Sequence, residues 1–277
     1  MRMFQSLPSY IGGKRKLLGT IFRNLPGPEI APTFVDPFLG GGAVSLLAKA
    51  RGHRVLCNDV AERSFIVGKA LIENHQGKLT HADLVKLSLS TEVKGYAESQ
   101  LSPHVFPVDH AAHLDCCLHN AQHLQGAKRW LAKLLIVKYA LRLRPMGNFG
   151  ARKIMLQVAG GEWEDMNVNY VRDLVNRGLP RHPIRLAEKL LPQINSGVFS
   201  NGQQNQAHRA DVLEFLGKVE GDVCYLDPPY AGTQSYEHAL KPLDELLYGG
   251  PIKITPNPYS IRPPTETHPP LFEAASH

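Results

Sequence analysis

The sequence predicts an α/β fold in which helices cover a mostly parallel sheet, and two observations carry that prediction. Short apolar runs alternate with helical stretches near both ends of the chain, a pattern typical of parallel strands that are buried on both faces. The chain has 277 residues, which is enough for one large domain or for one domain with an insertion. We therefore expect one sheet assembled from two distant parts of the chain.

The first part is a single βαβ unit. Residues 33–36 and 54–58 are short apolar runs that predict strands, and residues 43–50 between them predict a helix. Because the two strands are joined by a helix, they are expected to lie parallel.

The second part comes late in the chain. Residues 197–200 and 222–227 predict strands, and residues 210–216 between them predict a helix. In the Pro-rich tail that follows, only residues 252–255 predict a strand, and residues 271–275 predict the beginning of a helix.

Residues 80–195 separate these two parts and differ from them in composition and hydrophobic pattern. A polar stretch rich in His and Ser is followed by mainly helical patterns, of which residues 127–143 give the best-defined helix. We predict that residues 1–79 and 196–277 form one domain and that residues 80–195 form an inserted, mainly helical one.

A glycine-containing loop at residues 145–150 is surrounded by the basic side chains of Arg142, Arg144, Arg152 and Lys153. Clustered Arg and Lys can hold phosphates or reach base edges, and glycine lets the backbone approach a ligand closely. The cluster is therefore a candidate DNA-binding site, with a solvated basic loop as the alternative.

Composition and charge exclude several classes of protein. No apolar run approaches the ~18 residues of a membrane span, and the basic N-terminus lacks the apolar region of a secretory signal. We therefore expect a soluble, cytoplasmic protein without membrane contact. The four Cys form no C-x-x-C pair and the 13 His show no H-x-E spacing, so neither disulfides nor a metal site is expected. The net charge of +6 favours a polyanionic partner such as nucleic acid.

A glycine-rich segment, DPFLGGG at residues 36–42, follows the first predicted strand directly and opens the helix. Consecutive glycines permit a tight turn, and the N–H groups that begin a helix favour negative ligand groups. Asp59 follows the second strand at a spacing where a carboxylate accepts hydrogen bonds from ribose hydroxyls, although a turn or a helix N-cap would explain it too. The segment is a candidate site for a nucleotide-like cofactor. Its candidate binding residues are Asp36, Phe38, Gly40 and Gly42.

Two further candidates have weaker patterns. Asp211 follows the predicted strand at residues 197–200, where its carboxylate could hydrogen-bond the adenine amine of such a cofactor or simply cap the next helix. In residues 10–17, two glycines followed by basic residues predict a loop that leads Lys14 towards an anion, or only a flexible basic N-terminus.

The tetrapeptide Asp227-Pro228-Pro229-Tyr230 lies at the carboxyl end of a predicted strand, where open α/β sheets bind ligands. An aromatic amine is a poor nucleophile because its lone pair is delocalised into the ring, and two hydrogen-bond acceptors help it to pyramidalise and attack. The Asp227 carboxylate and the Pro228 carbonyl are two such acceptors, held in place because proline fixes φ. Tyr230 could stack on a base that has left its helix. The structural alternative is a strand that ends in a Pro-Pro turn with a buried Tyr.

Four motifs, taken in order, resemble those of the Dam-type (D12 class) adenine-specific DNA methyltransferases. They are Tyr10-x-Gly12-Gly13-Lys14, Asp36-Pro37-Phe38-x-Gly40-x-Gly42, Asn58-Asp59 and Asp227-Pro228-Pro229-Tyr230. The resemblance covers residues 7 to about 238. It implies a Rossmann-like, S-adenosylmethionine-dependent methyltransferase sheet in which residues 80–195 are an inserted target-recognition domain.

The resemblance also implies roles for individual residues. Tyr10, which stands where the family more often has Trp, would contact S-adenosylmethionine together with Lys14, Asp59 and Asp227. The methyl group would pass to N6 of a flipped adenine in double-stranded DNA.

The chain departs from the family at its end. Three strands should follow the tetrapeptide, and the Pro-rich tail offers one, because Pro removes the donors of a strand ladder. We therefore expect truncated C-terminal strands and allow a second polypeptide that completes the sheet. Three other functions stay open: a cytosine-N4 methyltransferase with the same amine chemistry, a catalytically inactive remnant that at most binds DNA, and an NAD-dependent dehydrogenase.

Overall fold

The structure, a computed structural model, describes residues 2–9, 12–92, 94–179, 181–228, 236–254 and 261–262. In these ranges the main sheet has four strands in the order β3-β2-β1-β4, and every neighbouring pair is parallel. The strands are β1 (Thr33–Asp36), β2 (Arg54–Asn58), β3 (Gln206–His208) and β4 (Val223–Cys224). The predicted α/β class with a parallel sheet drawn from both ends of the chain is confirmed.

The first βαβ unit is found as predicted. A short helix α1 (Leu18–Arg23) precedes β1, and α2 (Ala43–Ala50) joins β1 to β2. The helix α2 consists of residues with good helix propensity and ends where Gly52 takes a positive φ of 101°, a conformation that glycine adopts without strain.

The strand predicted at residues 197–200 is wrong. Val198 is buried in a loop and packs into the main core, which explains an apolar run without a strand. The third strand is instead the polar segment β3, whose Ala207 N–H donates to Glu73 Oε2 at 3.1 Å. Just before it, Asn205 Oδ1 accepts the N–H of Val55 at 2.9 Å. Side chains from elsewhere in the fold therefore position β3.

The strand predicted at residues 222–227 is shorter in the structure. It is assigned over Val223–Cys224, and the chain continues alongside β1, with Tyr225 N donating to Val35 O at 2.9 Å. The predicted helix at residues 210–216 is confirmed as α10 (Val212–Leu216), which begins two residues later than predicted.

The region between the two parts of the sheet is helical, as predicted. Helix α3 (Glu62–Val67) follows β2 and continues as a π-helical turn at Gly68–Ile72. The remaining helices are α4 (His81–Leu87), a π-helical turn at Ala97–Leu101, α5 (Val108–Ala121), α6 (Gly126–Arg142), α7 (Arg152–Ala159), α8 (Val168–Arg177) and α9 (Pro183–Asn195). The helix predicted at residues 127–143 is α6, displaced by one residue at each end.

One hydrophobic core runs through both regions. It contains Phe34 and Val55 of the sheet together with Leu131 and Leu135 of α6 and Leu190 of α9. The helices after residue 80 therefore pack directly on the part that carries the sheet. A division at residues 79 and 196 remains a prediction. On the opposite face of the sheet, a second, smaller cluster is formed by Val35, Leu56 and Phe215.

A helix that the sequence did not predict follows the tetrapeptide. Helix α11 (Tyr236–Tyr248) contains Pro242, yet Leu240, Leu243 and Leu246 are buried in the main core, and this burial outweighs the proline. The strand predicted at residues 252–255 is confirmed over Lys253–Ile254, as β5, which pairs antiparallel with β6 (Ile261–Arg262) outside the main sheet. The helix predicted at residues 271–275 lies outside the described residues.

No helix in the described ranges is both long and apolar enough to cross a membrane. The truncation of the sheet remains a prediction.

Candidate active site

The glycine segment forms a tight turn between β1 and α2. Gly40 and Gly42 have positive φ values of 52° and 74°, which other residues rarely adopt. A Cβ atom on Gly42 would also lie 2.6 Å from a methyl carbon of Val67. The turn is fixed to the end of β2 by the N–H of Leu39, which donates to Asn58 O at 2.9 Å.

Asp36 lies beneath this turn and is almost completely buried. Its Oδ2 accepts a hydrogen bond from Ser45 Oγ at 2.6 Å, and its Oδ1 accepts one from the N–H of Phe38 at 3.3 Å. Burial raises the pKa of the Asp36 carboxyl to about 7, and the negative charges of Asp59 and Asp227 add to the rise. Asp36 therefore shapes the turn from inside and belongs to a site that is rich in negative charge.

Asp59 connects the glycine turn to the beginning of α3. Its Oδ2 accepts the N–H of Gly40 at 2.8 Å, and its Oδ1 accepts the N–H of Ala61 at 2.9 Å. Burial raises the pKa of the Asp59 carboxyl, and these hydrogen bonds together with the charge of Arg63 oppose the rise. The turn-forming role is thus observed, and a contact with ribose hydroxyls stays a prediction.

The first and last motifs meet in the structure. Lys14 Nζ lies 2.8 Å from Asp227 Oδ2, with both side chains less than one-fifth exposed. The same Nζ donates to Gly12 O at 3.3 Å. The contact brings residues that are far apart in sequence to the carboxyl edge of the sheet, where the glycine turn lies. Tyr10, Pro229 and Tyr230 lie outside the described residues, so their predicted roles stay predictions.

Asp211 is the N-cap of α10. Its Oδ1 accepts the N–H groups of Leu213 at 2.8 Å and Glu214 at 3.4 Å. Of the two roles predicted for Asp211, capping is therefore observed, and a contact with an adenine amine stays a prediction.

Asn58 belongs to the Asn58-Asp59 motif, but the sequence assigned it no role of its own. Its Oδ1 accepts the N–H of Ala210 at 2.9 Å, and its Nδ2 donates to Ala210 O at 3.1 Å and to Pro37 O at 3.4 Å. The buried amide thereby fastens the segment before α10 to the glycine turn. Its place beside Asp59 at the end of a buried strand was the available signal.

The four predicted DNA-binding residues are not equivalent in the structure. Arg152 and Lys153 are exposed at the beginning of α7. Arg142 donates to the backbone carbonyls of Asn176 and Arg177 at the end of α8. These three positions stay candidate DNA contacts.

Arg144 differs from the other three because it is buried. Its side chain is only 4% exposed, its Nε donates to Leu141 O at 3.2 Å, and its guanidinium lies over the ring of Phe149 at 5.4 Å. Burial lowers the pKa of Arg144 to about 10. A guanidinium packed in this way supports the loop from inside, and the predicted DNA contact of Arg144 stays a prediction.

Within the described ranges, no group of three or more His, Cys, Asp and Glu side chains is placed to hold a metal ion.

A parallel sheet with a glycine turn and clustered carboxylates at its carboxyl edge defines an α/β enzyme with the features of a methyltransferase fold. The family model of the D12 class N6 adenine-specific DNA methyltransferases matches residues 10–122. The chain is also 30% identical over 247 residues to the type II methyltransferase M2.HphI of Haemophilus parahaemolyticus, an alignment that covers 88% of this chain and 72% of the relative. The chain belongs to the D12 class of adenine-specific DNA methyltransferases, as its motifs predicted.

Two more distant relatives carry similar names. The modification methylase StsI of Streptococcus sanguinis is 25% identical over 250 residues, and the type II methyltransferase M.FokI of Planomicrobium okeanokoites is 24% identical over 246 residues. Each alignment covers 81% of this chain and 34% of the relative, so this chain spans about a third of their length.

Proposed function

We propose that this enzyme transfers the methyl group of S-adenosylmethionine to N6 of an adenine that has been extruded from double-stranded DNA. The observation that carries the proposal is the contact between Lys14 and Asp227, which joins the tetrapeptide to the side of the sheet that carries the glycine turn and Asp59. A donor site and an acceptor site would then lie side by side.

The chemistry of the residues present fits this cofactor. Asp36, Asp59 and Asp227 lie close enough to one another for the charges of Asp59 and Asp227 to raise the pKa of Asp36, and Lys14 offsets part of that charge. A ligand with a sulfonium, an ammonium and ribose hydroxyls offers the positive charge and the donors that such a site favours. When bound, S-adenosylmethionine supplies an electrophilic methyl group.

The protein's own contribution is to orient and activate the amine. The Asp227 carboxylate and the Pro228 carbonyl accept the two N–H groups of the adenine amine, which draws the nitrogen lone pair out of the ring and towards the methyl group. The carboxylate can also hold the proton that the nitrogen loses after transfer. Tyr230 stacks on the extruded base and offsets part of the cost of removing it from the duplex.

DNA contacts are proposed for the helical region at residues 80–195. Arg152 and Lys153 at the exposed beginning of α7 can neutralise backbone phosphates, and Arg142 lies nearby in the chain at the end of α6. Neutralised phosphates supply affinity without sequence preference, so the target sequence would be read by other side chains of this region.

The experiment that tests the proposal is a methylation assay with radiolabelled S-adenosylmethionine and unmethylated DNA of mixed sequence, followed by digestion to nucleosides. We expect label in N6-methyladenine. Label in N4-methylcytosine would assign the same chemistry to the other base. Absence of transfer, with firm binding of S-adenosylhomocysteine, would support the inactive remnant instead.

A further inference from the structure

We propose that Arg63 is a positioning residue for the cofactor site, because its guanidinium serves both Asp59, the carboxylate at the glycine turn, and Asp244 on the helix that follows the tetrapeptide. The inference rests on the proposed function, since Asp59 is taken to bind the cofactor. It adds to that function a residue that lies in none of the four motifs.

The ion pair between Arg63 and Asp244 is buried. Arg63 Nη1 contacts Asp244 Oδ2, and the two side chains are 5% and 1% exposed. Removing both charges from water is costly, and an apolar pair of similar volume often gives equal or greater stability. Stability alone is therefore a poor explanation for an ion pair at this place, and a second use of the positive charge has to be considered.

Asp59 provides that second use. Asp59 begins the short segment that leads from β2 into α3, and Arg63 lies in the first turn of that helix. Burial raises the pKa of Asp59 and of Asp244, and the charge of Arg63 opposes the rise in both. Asp59 also raises the pKa of Asp244. Two carboxylates that repel each other therefore share one guanidinium, and without it Asp59 would be harder to keep ionised.

The other groups that face Asp59 do not replace this charge. The carboxylate of Asp36 and the thiol of Cys57 interact with Asp59, and both are neutral or negative. Lys14 is paired with Asp227. Among the described residues, Arg63 is a cation whose charge lowers the pKa of Asp59. An ionised Asp59 is a stronger acceptor for the N–H of Gly40 and for a ribose hydroxyl than the protonated acid would be.

The same short segment also fixes α11. Arg209 Nε donates to Val60 O at 3.0 Å, and Arg209 Nη2 donates to Tyr248 Oη at 2.6 Å. Tyr248 lies one helical turn after Asp244, on the same face of α11. Residues 60–63 are therefore joined to α11 at two successive turns. Because the chain enters α11 soon after the tetrapeptide, this connection relates the position of the catalytic segment to that of Asp59.

The test compares Arg63→Met with Asp244→Asn, using the pH dependence of S-adenosylhomocysteine binding by calorimetry and the melting temperature of the full chain. Arg63→Met removes a positive charge near Asp59, so the pH below which binding is lost should move up, with affinity at neutral pH at least about ten-fold weaker. Asp244→Asn removes a negative charge, so that pH should move down. Arg63→Lys keeps the charge and should stay close to the wild-type pH profile.

A merely structural role predicts something else. Arg63→Met and Asp244→Asn would then both lower the melting temperature and weaken binding, and the pH below which binding is lost would not move in opposite directions. That result would overturn the proposal. The double variant Arg63→Met/Asp244→Leu tests for a folding defect. It should regain melting temperature, since both partners of the Arg63–Asp244 ion pair are replaced by apolar side chains, without regaining affinity. Full recovery of affinity would also overturn the proposal.

Arg177→Met is the matched control. It breaks an Arg–Asp pair on α8, with Asp173, and should leave the pH profile of binding unchanged. If the wild-type protein itself binds no S-adenosylhomocysteine, the proposed cofactor is wrong. If the wild type binds S-adenosylhomocysteine and neither Arg63→Met nor Asp244→Asn shifts the pH profile of binding, only the role of Arg63 is wrong.

Discussion

Replacing Asp227 by Asn should almost abolish methyl transfer while leaving the fold intact. The substitution keeps the size of the side chain but removes the charge that pairs with Lys14 at 2.8 Å. It also replaces one acceptor oxygen with an NH₂ group that cannot accept the adenine amine. Removing one preorganised partner of a transition state costs about 2.7–4 kcal/mol, or roughly 10²–10³ in kcat. The lost ion pair, which is partly exposed, should cost the free energy of unfolding only about 1 kcal/mol or less.

The assay is single-turnover methylation of unmethylated DNA at saturating labelled S-adenosylmethionine, together with melting of each variant. Asp222→Asn is a matched control at the residue just before β4. Asp222 Oδ2 accepts the N–H of Thr33 at 2.8 Å, and Asn keeps an oxygen that can accept it, so activity should stay near wild type. A rate for Asp227→Asn within about ten-fold of wild type would refute the role given to this carboxylate.

Three further predictions concern pH, backbone strain and DNA. The pKa of Asp36 in the folded protein, about 7, lies above its ordinary value of about 3.9. Between these values the folded state holds a proton on Asp36 that the unfolded state has lost, so the stability that Asp36 contributes falls as pH rises from about 4 to 7. Asp36→Asn should therefore gain in melting temperature relative to wild type over that range, and a constant difference would contradict the reasoning. Met146 is exposed with a φ of 50°, so Met146→Gly should raise the free energy of unfolding by about 0.5–1 kcal/mol in denaturant titrations; a decrease would show that the side chain is needed for the loop. The double variant Arg152→Gln/Lys153→Gln should make the slope of log affinity for DNA against log salt concentration shallower by about 2. Arg144→Gln should leave that slope unchanged. The reverse pattern would assign the phosphate contact to Arg144.

The parts of the fold that the sequence predicted to the residue are those with local signals. Strands β1 and β2 are apolar runs, and α2 is preceded by Gly42, whose positive φ other residues rarely adopt. Strand β3 was missed because Gln206-Ala207-His208 carries no apolar pattern. Its conformation comes from pairing with β2 and from the side chains of Glu73 and Asn205, which are distant in the chain.

In the candidate site, too, some residues could be predicted from local sequence and others could not. Asp36, Asp59 and Asp227 could be predicted because each follows a strand, and the carboxyl ends of parallel strands lie at one edge of a sheet. The burial of Arg144 could not be predicted, because it depends on how Phe149 folds back over the loop. The partnership of Arg63 with Asp244 joins residues that are 181 positions apart, and no local pattern signals it.

If residues 80–195 contact DNA as proposed above, the core that joins α6 and α9 to the sheet limits how new target specificities can arise in this protein. Exchanging the whole of residues 80–195 with a relative would replace core residues such as Leu131, Leu135 and Leu190. The side chains of the hybrid would then have to repack against the sheet. The exposed segments around α7 and α8 carry few of these core residues. Recombination or laboratory grafting confined to those segments could change the sequence that is read and leave the interior unaltered.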